Sequence, residues 1–173
     1  YAQQGRSEEA VNCFWKMRDE GISPNAVTFT CLLKACSILR LIQTGEEIHG
    51  EVLKQGLLEK DFALGSSLVD MYMKCGLLQK ARKVFEELPV RDVVSWNVLI
   101  TGYAREAQVH EALDCLEQMQ RECLSPNAIT FICILKACDG IGYINKGKQI
   151  HDLIVSRHML QKDMYILKEI NYK

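Results

Sequence analysis

The sequence has no run of about 18 apolar residues, no excess of basic charge and no signal-like opening segment. The missing run predicts that the chain has no transmembrane helix and no membrane partner. Its 21 Lys and Arg are balanced by 22 Asp and Glu, for a net charge of −1, so charge alone gives no reason to expect a nucleic-acid binder. Three prolines and 11 glycines in 173 residues are too few for a low-complexity or collagen-like chain.

Recognisable catalytic and metal-binding patterns are also missing. No C-x-x-C pair occurs, and the H-x-E letters that begin at His49 match only half of the zinc deaminase signature. At the position 102 residues later, His151 is followed by Asp and Leu, without the Glu. No phosphate-binding loop or nucleophile motif appears either. We therefore predict no catalytic residue, no metal and no cofactor, and we interpret His49 and His151 as packing residues.

Eight cysteines are present, and several lie inside apolar runs such as CLLKAC (31–36) and ICILKAC (132–138). An even number in a short secreted domain would suggest disulfide bonds. The apolar helical setting instead predicts small buried hydrophobes in a reducing compartment.

What the sequence does contain is an internal duplication. When the chain is shifted by 102 residues against itself, 25 of the 71 overlaid positions are identical without a gap. The matches include Ser-Pro-Asn-Ala at 23–26 and 125–128, and Leu-Lys-Ala-Cys at 33–36 and 135–138. Chance would give about one identity in sixteen, so the chain is built of repeats.

The duplicated unit divides further into segments that each carry two apolar stripes of helical spacing. In the segment 93–127 the pattern predicts helices from about Val94 to Arg105 and from about Val109 to Arg121. The predicted segments are a partial repeat at 1–25, full repeats at 26–61, 62–92, 93–127 and 128–163, and a stub at 164–173.

A helix pair of about 35 residues cannot bury its apolar face alone, whereas stacked copies bury a continuous core. No alternating strand pattern competes anywhere in the sequence. We therefore predict an all-α fold, an α-α superhelix of helix-turn-helix repeats.

The segments resemble the pentatricopeptide repeat family, and in particular its plant subfamily with alternating P, L and S motifs. The resemblance rests on stretches such as DMYMKCG, ARKVFEELP, RDVVSWN and GKQIH, which are specific in combination. The cycle of 36, 31 and 35 residues also differs from the uniform 34 of tetratricopeptide repeats. By this resemblance 26–61 and 128–163 are L motifs, 62–92 is an S motif, and 1–25 and 93–127 are P motifs.

The resemblance implies single-stranded RNA binding, with one base read per repeat by the fifth and the last residue of each motif. Ile132, at a fifth position, has no side-chain hydrogen-bonding group. The remaining candidate readers are Asn25, Thr30 with Asp61, Ser66 with Asp92, Asn97 with Asn127, and Asp163.

The chemistry of such side chains suits base edges. An ionised Asp only accepts hydrogen bonds, which matches the N–H donors of guanine, whereas an Asn amide both donates and accepts and can meet a pyrimidine. Flanking residues such as Val94 and Ala63 would form an apolar shelf beneath each base. The family pairing implies guanine for the segment 62–92 and then a pyrimidine, cytosine first, for 93–127, with the N-terminal side of the chain toward the 5′ end.

Helix capping offers a second interpretation of the same residues. Asp92 and Asn127 stand where helix N-caps and turns favour Asp and Asn, and we expect one residue to fill both roles. Asn97 lies inside a predicted helix, where Asn is a poor helix former. It is therefore the strongest candidate reader.

The predicted function is sequence-selective binding of single-stranded RNA by a non-enzymatic array. The resemblance implies organellar RNA processing or C-to-U editing in a mitochondrion or chloroplast, with other organellar RNA-editing factors as partners. The alternative is a protein-interaction solenoid, because repeat superhelices also bind peptides and domains. Lys and Arg clustered along the concave face would favour RNA.

The tail departs from the motif pattern after Tyr165, where an S motif would continue toward LIDMY-like sequence but the chain runs ILKEINYK. We predict that this tail comes from a truncated or misannotated reading frame. Sequencing the transcript across this point is the test, and an uninterrupted transcript that ends here would contradict the prediction.

Overall fold

The structure, a computed structural model, describes residues 2–139 and, within them, the side chains of residues 4–138. These residues form eight α-helices and no strand, so the all-α prediction is confirmed for them. They fall into two compact units that divide between Arg91 and Asp92. The rest of the predicted repeat 128–163, and the stub 164–173, lie outside the described residues.

The first unit contains five helices. Within it α2 packs against α1, α3 and α4, and α4 packs against α5. The helices are α1 (Ala2–Asp19), α2 (Ala26–Leu39), α3 (Ile42–Lys54), α4 (Phe62–Lys74) and α5 (Leu78–Glu86). Their shared core consists of apolar side chains that are at most 1% exposed, among them Phe29, Leu33, Ile48, Leu64, Leu68 and Phe85. The 3–4 spacing of these residues along each helix is what directs them to one face.

The described part of the second unit contains α6 (Val93–Arg105), α7 (Val109–Arg121) and α8 (Ala128–Asp139). Each of the three packs against the other two. Trp96 is 1% exposed, and its indole N–H donates to a carboxylate oxygen of Glu122 at 3.2 Å. The bounds of α6 and α7 agree with the predicted helices to within one residue, because both were set by local apolar spacing.

Several helices end at a residue in the left-handed region. Gly76, with φ of +79°, follows α4, and the N–H of Leu77 donates to the carbonyl of Tyr72 at 2.9 Å. This bond satisfies a carbonyl that the helix end would otherwise leave without a partner. Three other ends use a residue other than glycine in the same conformation, namely Arg40, Ala107 and Cys123.

The interpretation of the cysteines as buried hydrophobes is wrong for part of the set. Cys36 is buried, and burial raises the pKa of its thiol to about 11. Cys31 is exposed because the inward face of α2 is formed by Leu32 and Leu33 instead. The buried cysteines are Cys36, Cys115 and Cys138, and the exposed ones are Cys13, Cys31 and Cys123. All cysteines among the described residues are free thiols.

Residues 2–139 include no helix that is long and apolar enough to cross a membrane. The same residues hold no group of three or more side chains that could bind a metal ion together.

His49 of α3 packs against Tyr72 of α4, as its interpretation as a packing residue requires; His151 lies outside the described residues. Nδ1 of His49 lies 3.0 Å from the Tyr72 hydroxyl oxygen, and the two rings meet edge to face with centroids 5.7 Å apart. Its Nε2 is buried without a hydrogen-bond partner in the described part of the chain. Burial therefore lowers the pKa of His49, because an imidazolium would lose hydration there.

We expect the free energy of unfolding to fall as the pH drops below about 6.5, the ordinary pKa of histidine. The unfolded chain binds a proton at His49 more readily than the folded chain, so this contribution is complete above that pH and is lost as the pH falls toward the lowered pKa of the folded state. Urea denaturation at about pH 7.5 and about pH 5.5, on either side of the ordinary value, measures the change. His49→Gln should reduce the difference in the free energy of unfolding between the two pH values.

Equal pH dependence in the His49 variant and the unaltered chain would show that this histidine does not contribute.

Candidate nucleic-acid interface

The first helix of each repeat within residues 26–139 begins at a side-chain N-cap. In every case a side-chain oxygen accepts a hydrogen bond from the backbone N–H three residues later, at 2.9 Å for Asn25, 3.1 Å for Asp61, 2.8 Å for Asp92 and 3.1 Å for Asn127. These bonds satisfy N–H groups that have no partner inside the helix. Four of the candidate readers are therefore helix caps, as expected for Asp92 and Asn127.

Two of the caps are reciprocal. The hydroxyl of Ser95 accepts from the backbone N–H of Asp92 at 2.9 Å, and the hydroxyl of Thr130 accepts from the N–H of Asn127 at 3.1 Å. This is a capping box in which Ser or Thr replaces the usual Glu or Gln. Sequence reasoning missed these hydroxyl residues, although the spacing D-x-x-S and N-x-x-T could have indicated them.

Each first helix presents the second residue of its motif beside the fifth, because helical residues three apart share a face. The second residues are exposed although they are large and apolar: Val27 is 69% exposed, Val94 60% and Ile129 57%. Ala63 is exposed as well. Apolar surface for a base is therefore present at the shelf positions, and its contact with RNA stays a prediction.

The fifth and last residues of the segment 93–127 meet directly. Nδ2 of Asn97 donates to Oδ1 of Asn127 at 3.1 Å, and the hydroxyl of Thr130 donates to Oδ1 of Asn97 at 2.5 Å. Asn97 is 7% exposed and Thr130 is fully buried. The two predicted readers thus form one hydrogen-bonded group with a third residue.

This group leaves a hydrogen-bond donor available at its surface. Oδ1 of Asn127 already accepts from the backbone of Thr130 and from Asn97. Nδ2 of Asn127 makes no hydrogen bond to any described residue, and the side chain is half-buried. The repeat therefore offers the N–H groups of an amide rather than its oxygen.

Asn97 also has a structural role, which the sequence argument did not foresee. Its poor helix propensity had made it the strongest candidate reader. In the structure both ends of its amide are paired, which by itself explains an Asn in this helix.

The other predicted readers are arranged differently. No hydrogen bond joins Thr30 to Asp61 within the described residues, and Leu64 occupies the place that corresponds to Thr130. Ser66 is 8% exposed, and its hydroxyl donates to the carbonyl of Phe62 in its own helix at 3.5 Å. Its predicted partner belongs to the second unit, so that pairing stays a prediction. Ile132 is half-buried, and Asp163 lies outside the described residues.

Positive charge lies close to the fifth position in α2. Lys34 is exposed and stands one turn beyond Thr30, on the face that Val27 also shares. It forms no ion pair with any other described residue. By contrast, Lys80, whose partner is Glu46, and Arg82, whose partner is Glu86, are neutralised in α5. An exposed lysine beside a base-sized apolar surface suits a phosphate group.

Models of this repeat match most of the chain. One, described as PPR repeat family, matches residues 1–37 and 91–139, and another, described as PPR repeat, matches 27–57 and 66–93. The chain belongs to the pentatricopeptide repeat family. This confirms the resemblance found from the sequence, while the division into P, L and S motifs stays a prediction.

Two Arabidopsis thaliana pentatricopeptide repeat-containing proteins illustrate the relationship. One, named as mitochondrial, is 36% identical over 155 residues, which is 90% of this chain and 28% of that protein. Another, named as chloroplastic, is 40% identical over 129 residues, which is 75% of this chain and 14% of that protein. The chain thus spans less than a third of the length of these relatives.

A solved structure confirms the helical-repeat fold. The crystal structure of the pentatricopeptide repeat protein PPR10 in complex with an 18-nt psaJ RNA element matches with a TM-score of 0.74 and 23% identity, over 86% of this chain and 22% of that chain.

We expect Asp92→Ala to lower the free energy of unfolding by about 1 kcal/mol, because Ala cannot cap α6. Asp92→Asn should leave it nearly unchanged, since Asn caps a helix as well as Asp does. Urea denaturation of the three proteins gives both values.

Asp114→Ala, at an exposed site inside α7, controls for the loss of a carboxylate and should not lower stability. If Asp92→Ala were as stable as the unaltered chain, the cap would not contribute, and the residue would be left with the recognition role alone.

Proposed function

We propose that this pentatricopeptide segment binds single-stranded RNA, and that Asn97 and Asn127 together read one pyrimidine, cytosine before uracil. The observation that carries the proposal is the hydrogen bond between these two side chains, which leaves the Asn127 amide N–H groups available. Fifth and last residues that are 30 positions apart in sequence come together at the surface beside an exposed apolar residue, Val94.

The donor character of this group favours cytosine. The pairing edge of cytosine carries acceptors at N3 and O2, and an amide N–H can donate to either. Uracil shares the acceptor at O2 but carries an N–H at N3, which cannot accept a hydrogen bond from the Asn127 amide. Donation to N3 is therefore the hydrogen bond that separates the two bases. One net hydrogen bond corresponds to about 1 kcal/mol, and hence to a preference of roughly fivefold.

The apolar second residues supply the affinity that hydrogen bonds alone do not. A base that stacks on a protein surface gains about 1–3 kcal/mol where the surface is aromatic, and the β-branched side chains of Val27, Val94 and Ile129 offer a smaller apolar contact of the same kind. Lys34 would contact the adjacent phosphate. With a net charge of −1, we expect the salt dependence of binding to be shallower than that of a basic RNA binder.

The role we propose is recognition rather than catalysis. At the Asn97–Asn127 site, the described groups are amides, a hydroxyl and an apolar side chain, and they do not form the nucleophile and base pair that covalent catalysis needs. The relatives named as mitochondrial or chloroplastic and the complex of PPR10 with an RNA element support an organellar transcript as ligand. RNA processing or C-to-U editing, with other organellar editing factors, fits this setting.

The proposed guanine reading by Ser66 and Asp92, and the contributions of Asn25, Thr30, Asp61 and Asp163, rest on motif position alone. They extend the same proposal to the neighbouring repeats, with the N-terminal side of the chain toward the 5′ end.

Asn127→Asp should reverse the preference from cytosine toward uracil. An Asp keeps the cap on α8 but replaces the amide donor with a second acceptor, which suits the N3–H of uracil. Fluorescence anisotropy with single-stranded RNAs that carry guanine followed by C or U in an otherwise constant context, at low and moderate salt, measures the ratio of dissociation constants.

The matched control is Asn12→Asp, which adds the same negative charge at an exposed position of α1. It should weaken binding to both RNAs equally and leave their ratio unchanged. If Asn127→Asp left the ratio of dissociation constants unchanged, the assignment of Asn127 as a base-reading residue would be contradicted, whereas RNA binding would stand. Absence of RNA binding at low salt would contradict the function and redirect attention to protein partners.

A further inference from the structure

The hydroxyl of Thr130 lies at the centre of the polar group formed by Asn97 and Asn127, although it belongs to the third position of the following repeat. Four contacts define its place. The hydroxyl donates to Oδ1 of Asn97 at 2.5 Å and accepts from the backbone N–H of Asn127 at 3.1 Å. Oδ1 of Asn127 lies 3.1 Å from the same hydroxyl and accepts from the backbone N–H of Thr130 at 3.1 Å. Thr130 is fully buried, so it cannot itself touch a base.

These contacts permit only one orientation of the Asn97 amide. A hydroxyl has a single proton to donate, and Oδ1 of Asn97 at 2.5 Å is a nearer acceptor for it than Oδ1 of Asn127 at 3.1 Å. If the amide of Asn97 were rotated by half a turn, its oxygen would face Oδ1 of Asn127, and two acceptors would oppose each other without a proton between them. Thr130 therefore holds the oxygen of Asn97 inward.

The orientation of Asn127 depends on the same arrangement. Its oxygen is needed by the N-terminus of α8 and by the N–H of Asn97, so its own N–H groups remain on the outside. The donors that meet the base are thus fixed by a residue that lies beneath both readers.

We propose that Thr130 is a positioning residue that sets the base preference of the preceding repeat by locking its two reading amides with their donors outward. This inference rests on the proposed function, because it names the residue that causes the proposed cytosine preference of that site. The comparison within the chain is Leu64, which stands at the equivalent third position of the segment 62–92, donates its backbone N–H to Oδ1 of Asp61 and has no hydroxyl. Thr30 and Asp61 are not joined by a hydrogen bond in the described part of the chain.

The test compares Thr130→Val, which keeps the shape and removes the hydroxyl, with Thr130→Ser, which keeps the hydroxyl. Anisotropy with the C and U oligonucleotides should show that the cytosine preference falls from roughly fivefold toward parity in Thr130→Val, as expected for the loss of one oriented hydrogen bond. Thr130→Ser should retain the preference. A structural role alone would lower the stability of Thr130→Val and weaken binding to both RNAs equally.

The outcomes separate the two proposals. If the unaltered chain binds neither RNA, the proposed function fails. If it prefers cytosine and Thr130→Val keeps that preference undiminished, the function stands and the inference about Thr130 is overturned.

A second measurement does not depend on the folding of a variant. In the ¹⁵N-labelled unaltered chain, the side-chain amide protons of Asn97 should exchange slowly with solvent, because one donates to Asn127 in a buried group. Exchange as fast as that of the exposed Asn12 side chain would also overturn the inference.

Discussion

The N-terminus of each first helix needs an acceptor for a backbone N–H group that the helix cannot satisfy, and the rest of the structure follows from how that need is met. Asn25, Asp61, Asp92 and Asn127 each supply a side-chain oxygen to the N–H three residues later. A cap of this kind fixes the start of the helix and, with it, the rotation of every residue that follows. The apolar stripe then enters the core, and the second and fifth residues share the opposite face.

The same requirement links stability to recognition. One oxygen of the cap side chain is bound to the helix N-terminus. The other terminal atom, a nitrogen in Asn or an oxygen in Asp, can therefore differ between repeats without a loss of helix stability. In Asn127 this atom is a nitrogen with two protons; in Asp92 it is a second oxygen. Asn and Asp cap helices equally well, yet one offers donors and the other only acceptors. An array can therefore change what it presents to a ligand while its helices keep the same starts.

Local features of the fold were predictable from the sequence, and long-range ones were not. Apolar spacing placed α6 and α7 to within one residue, because that signal lies within a few turns of helix. It did not place Cys31 on the outside of α2, since a run such as CLLKAC does not show which side of the helix meets a neighbour. The contact between Thr130 and Asn97 joins residues 33 positions apart, and no local pattern in the sequence reports it.

For the candidate site, too, some features were predictable from the sequence and others were not. Motif position identified Asn97 and Asn127 as partners, and their contact is present at 3.1 Å. The direction in which each amide points could not be read from the residues, because it depends on a hydroxyl supplied by the next repeat. Poor helix propensity was an incomplete reason to rank Asn97 first among the candidate readers, since burial and pairing give that side chain a structural reason to be there.

The cap that completes one proposed reading pair is the first structural element of the following helix. The segment that folds as a helix pair and the segment proposed to read one base are therefore out of phase by a few residues. A cut made just ahead of a helix cap, between Arg91 and Asp92 for example, separates the proposed pair Ser66 and Asp92 while it leaves both helix pairs and the cap of α6 intact. Recombination or design can exchange repeats between arrays. The proposed base preference would be transferred only if the transplanted segment began before the fifth residue of one repeat and ended after the third residue of the next.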